Sequence, residues 1–233
     1  MCGRYSISTP AEALARLFGP LGPLPNLAPR YNLAPTQDAP VVRLTGAGAR
    51  QLAMLRWGLV PSWSKGPGDG PLLINARSDT VRTKPSFRDA FHQRRCLVPA
   101  DGFYEWKAEG REKQPWRVRR ADGIPFAFAG LWDSWAGPQG ERIESFAIVT
   151  TDAAASIAHI HHRMPVMLPH DATAAWLEGE SAEAARLMEP LPDGELKAYP
   201  VSARVNTVAN DDAALHEPIS EEQARPVQRG LFG

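Results

Sequence analysis

The second residue of the chain is a cysteine, and it could carry two reactive groups at once. Cys2 follows Met1 and precedes Gly3 and Arg4. Because Cys2 is small, we expect Met1 to be removed, which leaves an α-amine and a thiol on one residue. These groups titrate at about 7.7–8.0 and about 8.5 in model peptides. The pair could form two bonds to one electrophilic carbon, which an internal cysteine cannot do.

Three further polar clusters lie beside apolar or aromatic residues. Asn75 and Arg77 follow the apolar run "LLI", Glu105 stands between two aromatic residues, and His161 lies in "IAHIHHRMPVML". A carboxylate, a carboxamide and an imidazole are the groups that general acid–base catalysis needs around a nucleophile. Together with the N-terminal cysteine, the clusters predict a catalytic site.

Each cluster also has a purely structural interpretation. Asn75 could cap a turn, and Glu105 could be a solvent-facing strand residue. The His-x-His-His run at 159–162 could bind metal, but no second Cys/His pair stands at ligand spacing elsewhere, so we expect no metal. Cys96, between Leu97 and Val98, is typical of a buried apolar residue.

The charge of the chain is balanced overall and uneven along its length. The 233 residues include 26 basic and 26 acidic side chains, yet residues 1–100 carry a balance of +8 and residues 101–233 a balance of −8. A neutral protein can therefore present a basic face. Arginine, 21 residues against 5 lysines, binds phosphate in a bidentate manner. A GC-rich genome would give the same arginine excess, so this alternative stays open.

The composition excludes several classes of protein. No stretch approaches the ~20 apolar residues of a membrane span, and the N-terminus lacks the pattern of a secretory signal. Two cysteines without such a signal indicate reduced thiols rather than a disulfide framework. We therefore expect a cytoplasmic monomer, associated with the nucleoid when it binds DNA.

Many short strands separated by Gly/Pro turns indicate an α+β domain built on antiparallel sheet. We expect a helix in "TPAEALARLFG", with Thr9 as its cap and Pro10 at its first position. "LLINARSDT" predicts a strand that ends in a polar turn. "QPWRVRRADGIPFAFAGLWDSW" predicts a hairpin. A helix is expected to start near Ala153.

Six ordered segments resemble the motifs of the SRAP family (SOS response-associated peptidase): "MCGRY", "RYNLAP", "RWGLVPSW", "INARSDT", "CLVPADGFYEWK" and "IHHRMPVML". They cover roughly residues 2–170, whereas the tail with "YPVSARVNT" matches more loosely. The resemblance implies one SRAP-like domain over residues 1–233. Its expected fold is α+β, with a strand-rich, mostly antiparallel, barrel-like core and peripheral short helices.

The resemblance also implies a function, the covalent capture of abasic sites in single-stranded DNA without a cofactor. Cys2 matches the family's crosslinking residue, and Asn75, Glu105 and His161 match the residues that assist it. The amine of Cys2 would form a Schiff base with the sugar aldehyde, and the thiol would close a thiazolidine. Glu105 would move protons, Asn75 would orient the amine, and His161 would protonate the ring oxygen or bind a phosphate.

DNA recognition is expected to rest on phosphates and stacking, because the lesion has no base to read. Arg4 and Arg77 match phosphate-binding positions. Trp63 and Trp106 are candidates to stack on flanking bases, and Pro35, in "RYNLAP", is a further DNA-binding candidate. A core role for either tryptophan remains an alternative.

Three other functions remain open from the sequence. An N-terminal-nucleophile amidohydrolase also begins with Met-Cys-Gly and uses the α-amine of its cysteine as the base. A peptidase is the activity in the family's name. A single-strand binder with an incidental cysteine is the third.

Overall fold

The structure, a computed structural model, describes residues 2–220. Met1, whose removal the sequence predicts, and residues 221–233, the end of the predicted domain, lie outside the described residues. Thirteen strands are found within the described part, β1 to β13 in chain order: Tyr5–Ile7, Arg30–Leu33, Asp38–Leu44, Arg50–Trp57, Asn75–Arg77, Arg95–Ala100, Gly102–Glu109, Glu112–Arg120, Phe126–Ala136, Arg142–Asp152, Arg163–Pro165, Met167–Leu168 and Leu196–Pro200.

Short helices surround these strands. Four α-helices, α1 to α4, are described: Ala11–Phe18, Arg88–Gln93, Thr173–Glu178 and Ser181–Arg186. Three 3-10 helices accompany them at His170–Ala172, Ala203–Asn206 and Ala213–His216.

Five strands close into a ring that forms the barrel-like core. The order is β10, β4, β3, β6 and β9, and β9 returns to pair with β10. Of these pairings only β10 with β4 is parallel. The inward side chains are apolar and fully buried, among them Trp57, Phe128 and Phe146. This architecture confirms the predicted α+β class with a strand-rich, mostly antiparallel, barrel-like core.

A second sheet carries the N-terminal segment to the site. Its order is β13, β8, β7, β1 and β2, so β1 lies between β7 and β2. Tyr5 of β1 packs edge-on against Trp57 and Phe128, with ring centroids 5.1 and 5.8 Å away. Because aromatic edges pack well at this separation, Tyr5 holds the second sheet against the barrel. Cys2, three residues earlier, is thereby brought between the two sheets.

Several local predictions were wrong. The segments expected to form one hairpin are β8 and β9, which belong to different sheets, because β8 pairs with β7 and β13 and β9 pairs with β6, β10 and β12. No helix starts near Ala153, where the chain forms turns. α1 begins at Ala11 after Pro10, and no side chain caps it. β5 begins at Asn75, so Asn75 and Arg77 lie within the strand rather than after it.

Candidate active site and nucleic-acid interface

Cys2 is completely buried between the two sheets. Its Sγ lies 3.8 Å from the backbone oxygen of Arg4. Burial, and after it the nearby charge of Glu105, raises the pKa of the Cys2 thiol. The thiol is therefore protonated at neutral pH in this chain, in which the nitrogen of Cys2 is still an amide to Met1.

Asn75 contacts the backbone of Cys2 directly. Its Nδ2 donates a hydrogen bond of 2.9 Å to the Cys2 carbonyl. The strand β5 pairs in parallel with β10, with Asn75 opposite Ile148. This pairing fixes the position of the Asn75 backbone. The Oδ1 of Asn75 is buried and accepts no hydrogen bond within residues 2–220. An acceptor in this position suits a donor on Cys2, such as an amine.

The side chain of Glu105 is almost completely buried. It lies on β7 opposite Trp116, and only 4% of its surface is exposed. Burial raises the pKa of Glu105 above the ordinary carboxyl value, because water no longer stabilises the charged form. A buried carboxyl group with a raised pKa can both take a proton and return it.

His161 is half-buried just before β11. Its Nδ1 lies 3.0 Å from both the backbone nitrogen and the backbone oxygen of Arg163, and these contacts fix the orientation of the ring. Burial lowers the pKa of His161, so the ring is neutral at pH 7. His162 is exposed and stacks on His161 with centroids 4.4 Å apart.

A cavity of about 370 Å³ joins two of these groups. It is lined by Glu105, Trp106, Lys113 and His161. Glu105 also acts electrostatically on Cys2. The structure thus links Cys2 to Asn75, 73 positions away, and to Glu105, and links Glu105 to His161 through the cavity.

Lys113 was not predicted from the sequence. It lies on β8, one strand away from Glu105. The pairing of β7 with β8 brings Lys113 to the cavity. The sequence gives only a weak signal for this pairing.

Arg4 has internal partners. Its Nη1 donates to Asn32 Oδ1 at 2.8 Å and to the Val205 carbonyl at 2.7 Å. Its guanidinium carbon lies 5.9 Å from the ring centroid of Trp106. Arg4 therefore links Asn32 and Val205 on one side of Trp106. Its contact with a phosphate stays a prediction.

The other predicted DNA-binding residues lie at or near the surface. Arg77 is exposed and forms two hydrogen bonds with Asp79, of 3.2 and 2.7 Å. Trp63 is 62% exposed on the loop after β4. Pro35 is half-buried and precedes Thr36, whose φ of 73° is left-handed and unusual for a β-branched residue. Their roles in DNA binding stay predictions.

The C-terminal part of the described chain takes part in the site, which the loose motif match did not indicate. We call residues 202–216 the strap. Asn206 of the strap accepts a 2.8 Å hydrogen bond from Trp106 Nε1. Asn32 Nδ2 lies within hydrogen-bonding distance of three strap carbonyls, at 3.2, 3.2 and 2.7 Å: those of Val205, Thr207 and Asn210. The strap therefore fixes one wall of the cavity.

Two further findings concern metal binding and membrane-spanning helices. Within residues 2–220, no three or more His, Cys, Asp or Glu side chains are grouped as a metal site would require. None of the helices described is long and apolar enough to cross a membrane.

Comparison with known proteins identifies the family. The model described as "SOS response associated peptidase (SRAP)" matches residues 1–208. The chain belongs to the SRAP family. Two SRAP relatives are named abasic site processing proteins: YoaM of Bacillus subtilis and YedK of Escherichia coli. YoaM is 36% identical, with 92% of this chain and 97% of YoaM covered. YedK is 33% identical, with 94% and 100% covered.

Solved structures show the same SRAP fold. A crystal structure of a protein from Bacteroides thetaiotaomicron superposes with a TM-score of 0.83 at 29% sequence identity. The match covers 94% of this chain and all of that one. The vertebrate relative HMCES of Rattus norvegicus, also named an abasic site processing protein, is 33% identical over 91% of this chain and 74% of its own length.

Proposed function

We propose that this SRAP protein processes abasic sites by capturing them in single-stranded DNA as a covalent adduct of Cys2. Two observations support the proposal: Asn75 bonds to the backbone of Cys2 and the charge of Glu105 acts on its thiol, while Glu105 and His161 line one cavity. The names of YoaM, YedK and HMCES support an abasic-site substrate.

The proposed reaction needs no oxidant or reductant. After Met1 is removed, the Cys2 amine adds to the C1′ aldehyde of the open sugar, and loss of one water gives the imine. The Cys2 sulfur then forms a bond to C1′, while the thiol proton ends on the nitrogen. The product is a five-membered thiazolidine, and the net change is the loss of one water.

The order of these steps follows from the state of the thiol. In the chain that still carries Met1, burial raises the pKa of the Cys2 thiol, and we infer that the thiol is likewise protonated when the amine attacks. The amine therefore attacks first, and the thiol adds to an imine already held beside it. Proximity replaces the nucleophilic strength that the protonated thiol lacks.

The assisting residues have roles that fit their positions. Glu105 takes a proton from the amine as it attacks and returns one to the departing hydroxyl group. Asn75 Oδ1, buried and unused within residues 2–220, accepts from the amine and holds its lone pair towards the cavity. His161 takes a proton from solvent, and its imidazolium, whose pKa burial lowers, gives that proton to the ring oxygen as the sugar opens and returns to the neutral ring.

The experiment is adduct formation on single-stranded DNA with one abasic site. We expect a heat-stable adduct from the wild type and from Cys96→Ala, a matched control that removes the other thiol. We expect none from Cys2→Ala, or from a variant with one residue that aminopeptidases do not remove inserted before Cys2. An adduct at wild-type yield in Cys2→Ala would disprove the mechanism. Glutamine hydrolysis without an adduct would favour the amidohydrolase instead.

A further inference from the structure

Lys113 is a cation that lines the cavity of about 370 Å³, and the proposed reaction gives it no role. It shares this cavity with Glu105, Trp106 and His161. Within residues 2–220, the ammonium group of Lys113 forms no ion pair and donates no hydrogen bond. An ammonium group that faces a cavity without a partner is suited to bind an anion, and phosphate is the anion that lysine commonly binds.

The hairpin of β7 and β8 sets the position of Lys113. Gly110, whose φ of 65° is left-handed, and Arg111 form its two-residue turn, and a turn this short fixes the register of the strands. Glu105 lies opposite Trp116, three positions beyond Lys113 on β8. The backbone of Lys113 is therefore held about 10 Å along the hairpin from this pair, while its flexible stem lets the ammonium group move within the cavity.

Several charged groups act on His161 from the elements packed around it. Burial lowers the pKa of His161, and nearby positive charges, among them those of Arg163 and Lys113, lower it further. Glu105 lines the same cavity from β7, and the exposed His162 stacks on the ring at 4.4 Å. The free α-amine adds another ionisable group once the initiator methionine is removed. These surroundings keep the ring of His161 neutral in the free protein.

The two cationic side chains that act on His161 differ in what already binds them. Arg163 is buried, pairs with Asp152 at 2.9 Å and donates to the Thr150 carbonyl at 2.6 Å. Lys113 is exposed and has no such partner within residues 2–220. A phosphate that enters the cavity can therefore neutralise the charge of Lys113, whereas the charge of Arg163 is already balanced.

We propose that Lys113 binds the phosphate beside the abasic sugar, and that this pairing allows His161 to take up its proton once DNA occupies the cavity. The proposal rests on the proposed function, since it assumes that the lesion lies at Cys2. The phosphate brings a negative charge next to Lys113, which removes the positive potential that opposes protonation of the ring. The imidazolium that opens the sugar then forms in the complex with DNA and stays rare in the free protein. Lys113 is a positioning residue in this scheme, because it acts on the reaction through His161.

The first measurement is the affinity for single-stranded DNA with an unreactive tetrahydrofuran at the lesion. Lys113→Gln should lower the slope of log Kd against log salt by about 0.7, because one phosphate loses its cation. Lys113→Arg keeps the charge and should keep the slope. Lys197→Gln is the matched control, since Lys197 is exposed on β13 of the same sheet and does not line the cavity.

The second measurement is the titration of the His161 ring by NMR, with and without this DNA. The His161→Gln variant identifies the signal. In the free protein, the pKa of His161 should be higher in Lys113→Gln than in the wild type, because one positive charge is gone. Addition of DNA should raise the pKa of His161 more in the wild type and in Lys113→Arg than in Lys113→Gln. A purely structural role of Lys113 would not produce this pattern.

Equal salt slopes for the wild type and Lys113→Gln would overturn the proposal. An equal effect of DNA on His161 in these two proteins would also overturn it. Neither measurement needs a covalent step. If both results are as expected and reactive abasic DNA still gives no adduct, the proposed function alone is contradicted.

Discussion

Glu105 shows how one side chain can be unfavourable for stability and useful for chemistry. Its pKa is raised by burial, so folding favours the protonated form. The stabilising contribution of that form is complete below the unfolded pKa and is lost as the pH rises through the folded pKa. At neutral pH the burial of this carboxylate therefore lowers the free energy of unfolding. The proposed proton transfers explain why a carboxyl group is present there.

Replacing Glu105 by Gln should separate these two effects. We expect adduct formation to slow by about 10²- to 10⁴-fold, while the melting temperature stays equal or rises. The wild-type rate should increase through a pKa above the ordinary carboxyl value of about 4.3, and Glu105→Gln should lack that increase.

Glu109→Gln is the control on the same strand, since Glu109 pairs with Lys107 at 3.6 Å and does not line the cavity. Single-turnover rates across pH, together with thermal melts, provide the readout. Full activity in Glu105→Gln would exclude a proton-transfer role.

At the scale of elements, the strap is the part that links the C-terminal segment to the reacting residues. Asn32 ties it to β2, and Asn206 ties it to Trp106 on β7. Arg4, two residues after Cys2, bonds to both Asn32 and the strap. Movement of the strap would therefore change the cavity wall and the course of the N-terminal segment together.

We predict that Asn32→Ala destabilises the protein by about 1–3 kcal/mol, because it leaves buried strap carbonyls and Arg4 without their partner. Hydrogen exchange should increase in residues 202–216 before the barrel strands exchange. Asn210→Ala is the comparison, since the half-buried side chain of Asn210 donates one hydrogen bond, to the Arg204 carbonyl, within residues 2–220. Equal exchange in both variants would contradict the role assigned to Asn32.

The sequence predicted the barrel class, and the residues that it offered for the site stay predictions, but it missed elements that surround them. Cys2, Asn75 and Glu105 are recognisable because unusual residue types stand in ordered motifs. β8 and β9 were wrongly joined as a hairpin, since alternation along a strand does not reveal which sheet it enters. Asn206 bonds to Trp106 from 100 positions away, and such a long-range contact depends on packing that local patterns do not encode. Lys113 reaches the cavity through the short β7–β8 hairpin, which the sequence analysis did not predict.

At the scale of the whole molecule, the basic N-terminal half does not present all its charge to DNA. Arg77 is paired with Asp79, and Arg43 is largely buried and paired with Glu144 at 2.8 Å. The pair of Arg77 is exposed, so a phosphate can replace Asp79 as the partner. The proposed affinity therefore depends on a few accessible cations.

Affinity for single-stranded DNA should fall steeply as salt increases. Arg77→Gln should lower the slope of log Kd against log salt by about 0.7. Arg186→Gln, a change at an exposed arginine on α4, should leave the slope unchanged. Salt titrations of binding give both values, and a slope unaffected by Arg77→Gln would exclude its contact with a phosphate.

Stability should also depend on pH through His216 at the end of the strap. Burial lowers the pKa of His216 to about 4. Because the unfolded ring titrates near 6.5, the unfolded state binds the proton first as the pH falls. The free energy of unfolding should therefore decrease between about pH 6.5 and 4. His216→Gln should show a smaller decrease in denaturant titrations, and an unchanged one would rule out this linkage.

The most direct test of the central claim is the intact mass of the protein after reaction with abasic single-stranded DNA. The account predicts one species, whose mass is that of the chain without Met1 plus the DNA minus one water, with the linkage mapped to Cys2. An adduct that retains Met1, or one linked through any other residue, would contradict it.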